Sequence, residues 1–504
     1  MAAARNTSTA ADADSRGPAL SGPSASPGHG RWRRRAWVGA VWLSTAVFHT
    51  VAFPPFELPE AAYVFAVAAL LWVGRRPLAG EAASVGRAAA DDAGDRPLEP
   101  VSLRTLLSTV GSAAFVSWAV LLEWLHHVTI VGTIALAFIV SVFTTAWFAA
   151  AWWAVPRMRR LDSWGRIVAA LGLAGCWVVL EWTRTWLFTG FPWLPLAASQ
   201  WQRPIMLQSA AFGGAWAVSF SLVLFNIGLA AYLERLVAYV RRRASRWCPE
   251  FYLGLAVLFA GSFGLYRETI NQQREPLFRA GFMQPDIPQE VKWDPAEARS
   301  ILEVLRRETL MADLLAPDVV FWPEATMPLP IVGNEAIGRW VEALSRQIDA
   351  PIVFGAVAYE FIEDAAFPDG RRERWRNAVA IVDPDLGMMR DFYAKRHLVP
   401  FGEYVPLRRF FPFLEKVVPV GGDFEPGDNA EPLPLRTPGR TTYLGVLICY
   451  EDVFPGLARE SVRAGAQLLF VATNDAWYGE RGAAYQHAAH SVLRAVETRR
   501  PVLR

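Results

Sequence analysis

Seven apolar runs fill most of the first 266 residues, near 36–53, 61–74, 106–125, 130–155, 166–188, 205–233 and 251–266. A hydrocarbon layer is roughly 30 Å thick, so about 20 apolar residues cross it as a helix. The second and seventh runs are short for a full crossing. Inside lipid every backbone polar group must be satisfied within the segment, which leaves such runs little choice but helix. Arginines gather in alternate gaps: Arg31, Arg33, Arg34 and Arg35; Arg75, Arg76, Arg87, Arg96 and Arg104; Arg157, Arg159, Arg160 and Arg166; Arg235, Arg241, Arg242, Arg243 and Arg246. Basic loops stay in the cytoplasm. An odd number of crossings then puts everything after about residue 267 on the other side, and the further apolar runs that follow it make the first run a retained signal anchor.

The composition fits two solvents, with 53% apolar residues concentrated in the first half and 19% charged residues overall. A net charge of +2 with no basic stripe argues against nucleic acid as a partner. The three cysteines, Cys176, Cys248 and Cys449, are too widely spaced for a disulfide framework or a metal site, so no metal or other cofactor is expected. Residues 1–30 are rich in Ala, Ser, Gly and Pro and are expected to form a disordered cytoplasmic tail. Trp37, Trp72, Trp124, Trp152, Trp153 and Trp164 fall near run ends and read as headgroup anchors. Glu181 and Arg184, near the outer end of the fifth run, are either an i, i+3 ion pair holding a loop or the wall of a lipid-access site.

From about Arg279 onward short β-rich runs alternate with amphipathic helical stretches, the pattern of an α/β layered domain. Strands are predicted at Ala280–Met283, Val319–Trp322, Ile352–Ala358, Ala378–Val382, Leu444–Cys449 and Leu468–Ala472, with helices at Pro295–Leu314, Glu335–Gln347, Phe454–Ala464 and Tyr485–Thr498. Three polar motifs follow strands closely: Trp-Pro-Glu324, Cys449-Tyr450-Glu451-Asp452 and Thr-Asn474-Asp-Ala-Trp. Ligands collect at the carboxyl ends of strands in open α/β sheets, so the three could share a pocket. A fourth motif runs from Tyr393 through Lys395 and Glu403 to Pro406. Taken singly, a cysteine is usually core, a lysine solvated and a glutamate a helix cap. Together they make sense chemically. A thiol reacts as thiolate, an ammonium lowers its pKa and steadies an oxyanion, and a carboxylate moves the protons.

Glu324, Lys395 and Cys449, in this order and in these contexts, resemble the nitrilase (carbon-nitrogen hydrolase) superfamily. The strings Gln284 to Trp293, Lys395 to Pro406, Cys449-Tyr-Glu451 and Asn474-Asp-Ala-Trp477, with Phe53-Pro-Pro-Phe56 and Phe188-Thr-Gly-Phe-Pro-Trp193 in the apolar half, are similar to apolipoprotein N-acyltransferases. The resemblance implies a multi-span helical membrane domain over 31–267 and an extracytoplasmic nitrilase-like αββα sandwich over 268–504. It implies a monomer in the bacterial cytoplasmic membrane that moves an acyl chain from a phospholipid to the α-amine of an S-diacylglyceryl apolipoprotein. Glu324 would be the base, Lys395 the electrostatic partner and Cys449 the acyl carrier. Glu403, Tyr450, Glu451, Trp293, Asn377 and Asn474 would support the triad or the substrates. The chain stops at Arg504 where relatives continue, so the sandwich is expected to lack its C-terminal end. Two other readings stay open: a membrane-tethered amidase that uses water as acceptor, and a multi-span binding protein with an inactive nitrilase-like domain.

Overall fold

The computed structural model describes residues 28–75, 101–241, 245–270, 275–292, 294–326, 329–363, 371–406, 424–479 and 482–504. The expected tail, up to residue 27, and Trp293 lie outside them. A helix overlies each of the seven runs: α1 (Gly28–Leu43, continued through a π turn to Val51), α2 (Val67–Gly74), α3 (Leu103–Leu121), α4 (Ile130–Met158), α5 (Ser163–Thr183), α6 (Ala215–Val240), and α7 (Pro249–Leu255) leading through a second π turn to α8 (Ser262–Ile270). Among the described residues four of these, α3 to α6, are long and apolar enough to cross a membrane. The second run is divided, because a 3-10 turn at Pro59–Tyr63 precedes α2.

Side chains start the long helices where the sequence supplies caps. Ser102, Thr129 and Asp162 each accept a backbone N–H from the first turn of α3, α4 and α5. Helix α4 shows why the bundle needs lipid. Its buried side includes small or polar Ala137, Ser141 and Thr144, while Ile134, Phe138 and Val142 line up at i, i+4 on an outer face and are 55%, 61% and 49% exposed. Small residues let helices approach, and an apolar outer stripe suits hydrocarbon. Two expected anchors are not anchors: Trp72 and Trp124 are buried in the protein, whereas Trp153 and Trp164 face outward. Glu181 and Arg184 do not pair with each other either. Glu181 Oε1 accepts the Leu196 N–H and the Trp177 indole N–H, both at 2.7 Å, and Arg184 donates to the Phe191 and Trp193 carbonyls, so each holds the loop after α5.

The second half is four layers. One sheet orders β1 (Ala280–Phe282), β2 (Val319–Trp322), β3 (Ile352–Glu363), β4 (Arg371–Asp383) and β5 (Gly387–Met388), with β6 (Tyr393–Ala394) also on β4; the other orders β10 (Val502–Leu503), β9 (Leu468–Ala472), β8 (Arg440–Ile448) and β7 (Leu433–Thr437). Alternation along each strand sorts the residues between layers. Val319, Phe321, Val353, Val379 and Ile381 meet Leu444, Val446, Leu468 and Phe470 between the sheets. Val320, Trp322, Ile352 and Phe354 face helices α9 (Ala298–Asp313) and α10 (Glu335–Ile348), while Leu447, Leu469 and Val471 face α11 (Pro455–Arg463). This is the expected αββα order. Strands β3 and β4 run farther than predicted, because cross-strand pairs such as Glu360 with Arg374 and Glu363 with Arg371 extend the hairpin beyond its apolar part.

Helix α12 (Ala483–Thr498) fastens the two halves together. The Gln486 side chain makes four hydrogen bonds, all to the apolar half: it accepts from the Trp124 and Trp193 indoles at 3.2 and 2.9 Å, and donates to the Pro54 and Leu121 carbonyls at 3.0 and 3.1 Å. His490 Nε2 accepts the Leu194 N–H at 3.3 Å, and Glu497 accepts the Ala215 N–H at the start of α6 at 2.6 Å. A carboxylate there also suits the helix dipole.

Candidate active site

The strand ends bring the polar motifs together. Glu324 lies two residues beyond β2, and the adjoining strand gives it room: a Cβ on Gly355 would meet the Pro323 carbonyl and come within 2.6 Å of Glu324 Cα. Cys449 follows β8 directly and has a left-handed φ of +51°, uncommon for any residue but glycine or Asn. Such outliers cluster at functional sites. Asn474 follows β9, and its backbone N–H donates to Glu324 Oε2 at 3.1 Å. Lys395 directly follows the short strand β6, whose pairing to β4 lets the Lys395 N–H donate to the Asn377 carbonyl at 2.8 Å.

Lys395 is 1% exposed and sits between two carboxylates, 2.9 Å from Glu403 Oε2 and 3.8 Å from Glu324 Oε1. Asn377 bridges the same pair, its amide donating to Glu324 Oε1 at 2.8 Å and to Glu403 Oε1 at 2.9 Å. Burial pulls the Lys395 pKa down, but Glu403 and Glu324 outweigh it and hold the ammonium protonated well above its ordinary range. Lys395 is therefore a fixed positive charge and cannot act as a base near neutral pH.

The thiol answers differently from the sequence expectation. Burial first, and then the Glu324 charge, push Cys449 up; Lys395 pulls it down without prevailing. At rest the group is a neutral thiol. Tyr478 Oη lies 3.9 Å from its sulfur.

Tyr450 and Glu451 act on position. The wholly buried Glu451 accepts the Arg396 and His397 N–H groups at 2.7 and 3.0 Å with one oxygen, and the Ile448 N–H and Tyr393 hydroxyl, both at 2.8 Å, with the other. It thus ties the Lys395 loop to the turn carrying Cys449. The Tyr450 hydroxyl donates to the Gly190 carbonyl at 3.1 Å, which sets the thiol turn against the apolar half. Gly190 has φ +81°, and a Cβ there would strike the Thr185 carbonyl and the Phe454 ring, so the Phe188-Thr-Gly-Phe-Pro-Trp193 string can make this contact only with glycine.

Two features had escaped the sequence reading. Lys292, in the string that ends at Trp293, is buried and donates from Nζ to the Glu324 carbonyl at 3.0 Å; burial lowers its pKa to about 8 against the pull of Glu324 and Cys449. Behind the thiol, His487 is held between Asp475 at 2.8 Å and Asp452 at 3.0 Å, and a ring nitrogen lies 3.2 Å from the Cys449 carbonyl. Arg504 pairs with both aspartates at 2.7 and 3.1 Å. Burial alone would lower the His487 pKa, but the two aspartates raise it to about 9. The spacing His487, His490, Ser491, Arg494 was the available signal, since it lines polar residues along one buried face of α12.

Residues 45–228 match the family model for the apolipoprotein N-acyltransferase N-terminal domain, and residues 279–504 match that for carbon-nitrogen hydrolases. An apolipoprotein N-acyltransferase of Geobacter metallireducens is 34% identical over 330 residues, covering 65% of this chain and 60% of that protein. Those of Brucella melitensis and Brucella suis are each 32% identical, over 94% of this chain and 84% of their own length. A solved amidase from Nesterenkonia sp. is 21% identical with a TM-score of 0.26, covering 40% of this chain and 66% of that one, a likeness too weak to carry an argument.

Proposed function

The chain belongs to the apolipoprotein N-acyltransferase family and is an acyltransferase of lipoprotein maturation; from that premise we propose that Cys449 carries the acyl group as a thioester, Glu324 moves the protons and Lys395 stabilises the oxyanion. The observation that carries this reading is the buried Lys395 ammonium held between Glu324 and Glu403, in a site whose thiol turn touches the apolar half through Tyr450 and Gly190.

In the first half-reaction Glu324 takes the Cys449 proton as sulfur attacks the ester carbonyl carbon of a phospholipid. Negative charge gathers on the carbonyl oxygen near Lys395, where a fixed, desolvated cation acts more strongly than in water. The ester C–O bond then breaks, Glu324 returns the proton to the departing lysophospholipid oxygen, and a thioester remains. In the second half the free α-amine of the diacylglyceryl cysteine attacks the thioester carbon. Glu324 accepts an amine proton, the C–S bond breaks, and the proton returns to sulfur. Asn377 Oδ1, buried with no partner among the described residues, offers an acceptor for an amine N–H.

Because the resting thiol is neutral, attack depends on proton transfer to Glu324 within the site. Asn377 and the Asn474 N–H fix the orientation of that carboxylate. The charge pattern supports an amino terminus inside the bacterial cytoplasmic membrane and a catalytic half, 268–504, on its outer side. A tethered site meets substrates that hardly leave the bilayer, which gains proximity a soluble domain lacks. Mass spectrometry after incubation with phospholipid tests the proposal: Cys449 gains one acyl mass, Cys449→Ala does not, and a diacylglyceryl peptide discharges the adduct. An active preparation that never carries an adduct rules the mechanism out.

A further inference from the structure

A cavity of about 370 Å³ opens at the far end of the helix bundle. It lies between the end of α4, the start of α5 and the second half of α6. The catalytic half docks at the other end, on Ala215. From Ala215 to Arg235 the axis of α6 rises about 30 Å, one hydrocarbon thickness.

Three arginines and two glutamates reach the cavity: Arg159, Arg166 and Arg235 with Glu234 and Glu250. Arg159 pairs with Glu234, and Arg166 lies 3.5 Å from Glu250. Arg235 donates to the Trp247 carbonyl at 2.7 Å, a neutral partner, so the lining carries one positive charge more than its acids balance. Arg166 is 7% exposed, and its Nε has no hydrogen-bond partner among the described residues. A buried guanidinium left incompletely bonded is costly unless an acceptor completes it. The opposite walls are apolar, with Leu70, Val155, Met158 and Ile227. Exposed Trp153, Trp164 and Trp247 surround this end, the depth at which indoles meet lipid headgroups.

We propose that this cavity binds one anionic glycerophospholipid, its phosphodiester on Arg166 and Arg235 and the start of an acyl chain along Leu70, Val155 and Ile227. Its volume falls in the range of small-molecule sites. Basic pockets between spanning helices are a recurrent form of anionic headgroup site. The glutamates do not repel the phosphate outright because each already faces an arginine. The site is separate from the chemistry at Cys449 and is independent of it.

The test is native mass spectrometry of the full chain in mild detergent, in a Cys449→Ala background so that no covalent acyl group confuses the count. Phosphatidylglycerol is titrated in, with inorganic phosphate as competitor. Arg235→Gln removes charge without touching the Arg166–Glu250 pair, and Ala231→Phe fills the cavity without removing charge. The parent retains one lipid that excess phosphate does not displace, and each variant, shown folded by circular dichroism, binds it about fivefold or more weakly. Equal lipid retention by parent and variants overturns the proposal. So does a phosphate adduct in place of the lipid, since the ligand is then the free anion.

Discussion

The Trp193 indole donates its N–H to Gln486 Oε1 at 2.9 Å, joining a loop of the apolar half to a helix of the catalytic half. Gln486 spends its whole hydrogen-bonding capacity on such contacts and is 2% exposed. The two halves therefore meet in a defined geometry beside the thiol turn.

Replacing Gln486 by alanine leaves two indole donors and two carbonyls unsatisfied at a buried junction. The expected cost is on the order of 3 kcal/mol. Thermal unfolding followed by tryptophan fluorescence reads it, and limited proteolysis is expected to release the catalytic half sooner. Gln486→Glu is expected to be nearly as damaging, because a carboxylate cannot donate to Pro54 and Leu121. An unchanged melting profile for both variants excludes the clamp.

The thiol of Cys449 is held up by burial and by Glu324. Its alkylation by iodoacetamide is expected to keep rising through the alkaline range, without a plateau near neutrality. Glu324→Gln removes one cause of the upward shift, so this variant alkylates faster at a given pH while its acyl transfer falls, on the order of 100-fold for loss of a general base. Acyl transfer that survives this substitution dismisses Glu324 as the group that moves the protons.

Glu403→Gln tests the second carboxylate on Lys395. With one of two negative partners gone, burial counts for more and the ammonium is less firmly held. A loss of kcat of about 10-fold to 100-fold is expected, with little change in KM, since the group acts on charge that develops during reaction. An equal rise in KM with kcat intact assigns Glu403 to substrate binding.

His487 predicts a pH dependence of stability. Its folded pKa is raised from 6.5 to about 9, so its contribution is fully present below about pH 6.5 and is lost as pH climbs through about 9. The magnitude is on the order of 1–3 kcal/mol, since the imidazolium is buried between two aspartates. Melting temperatures of the wild type and His487→Gln are expected to converge between pH 7 and pH 10. Parallel curves across that window dismiss the imidazolium.

The order of the polar motifs was legible because each follows a short apolar strand, and alternation along those strands fixes which residues face the helices and which face the other sheet. The β3–β4 hairpin was read too short, because its outer part is held by charged cross-strand pairs that carry no apolar signal. Trp124 was misread as a lipid anchor because position at a run end does not reveal a partner 362 residues away. Asn377 joins Glu324 and Glu403 from the middle of a strand, a bridge that depends on three separate chain segments.

The apolar runs, the alternating arginine gaps, the layered second half and the choice of Glu324, Lys395 and Cys449 follow from the order of residues alone. These are local quantities, set by hydropathy, strand period and side-chain chemistry. Tertiary structure decided what those groups are able to do. It made Lys395 a permanent cation by enclosing it with two carboxylates, and kept Cys449 a neutral thiol by burial. Through Gln486, Tyr450 and Gly190 it also set the thiol turn against the membrane half. Desolvation and Coulomb energy depend on distances between residues far apart in the chain, and folding alone supplies those distances.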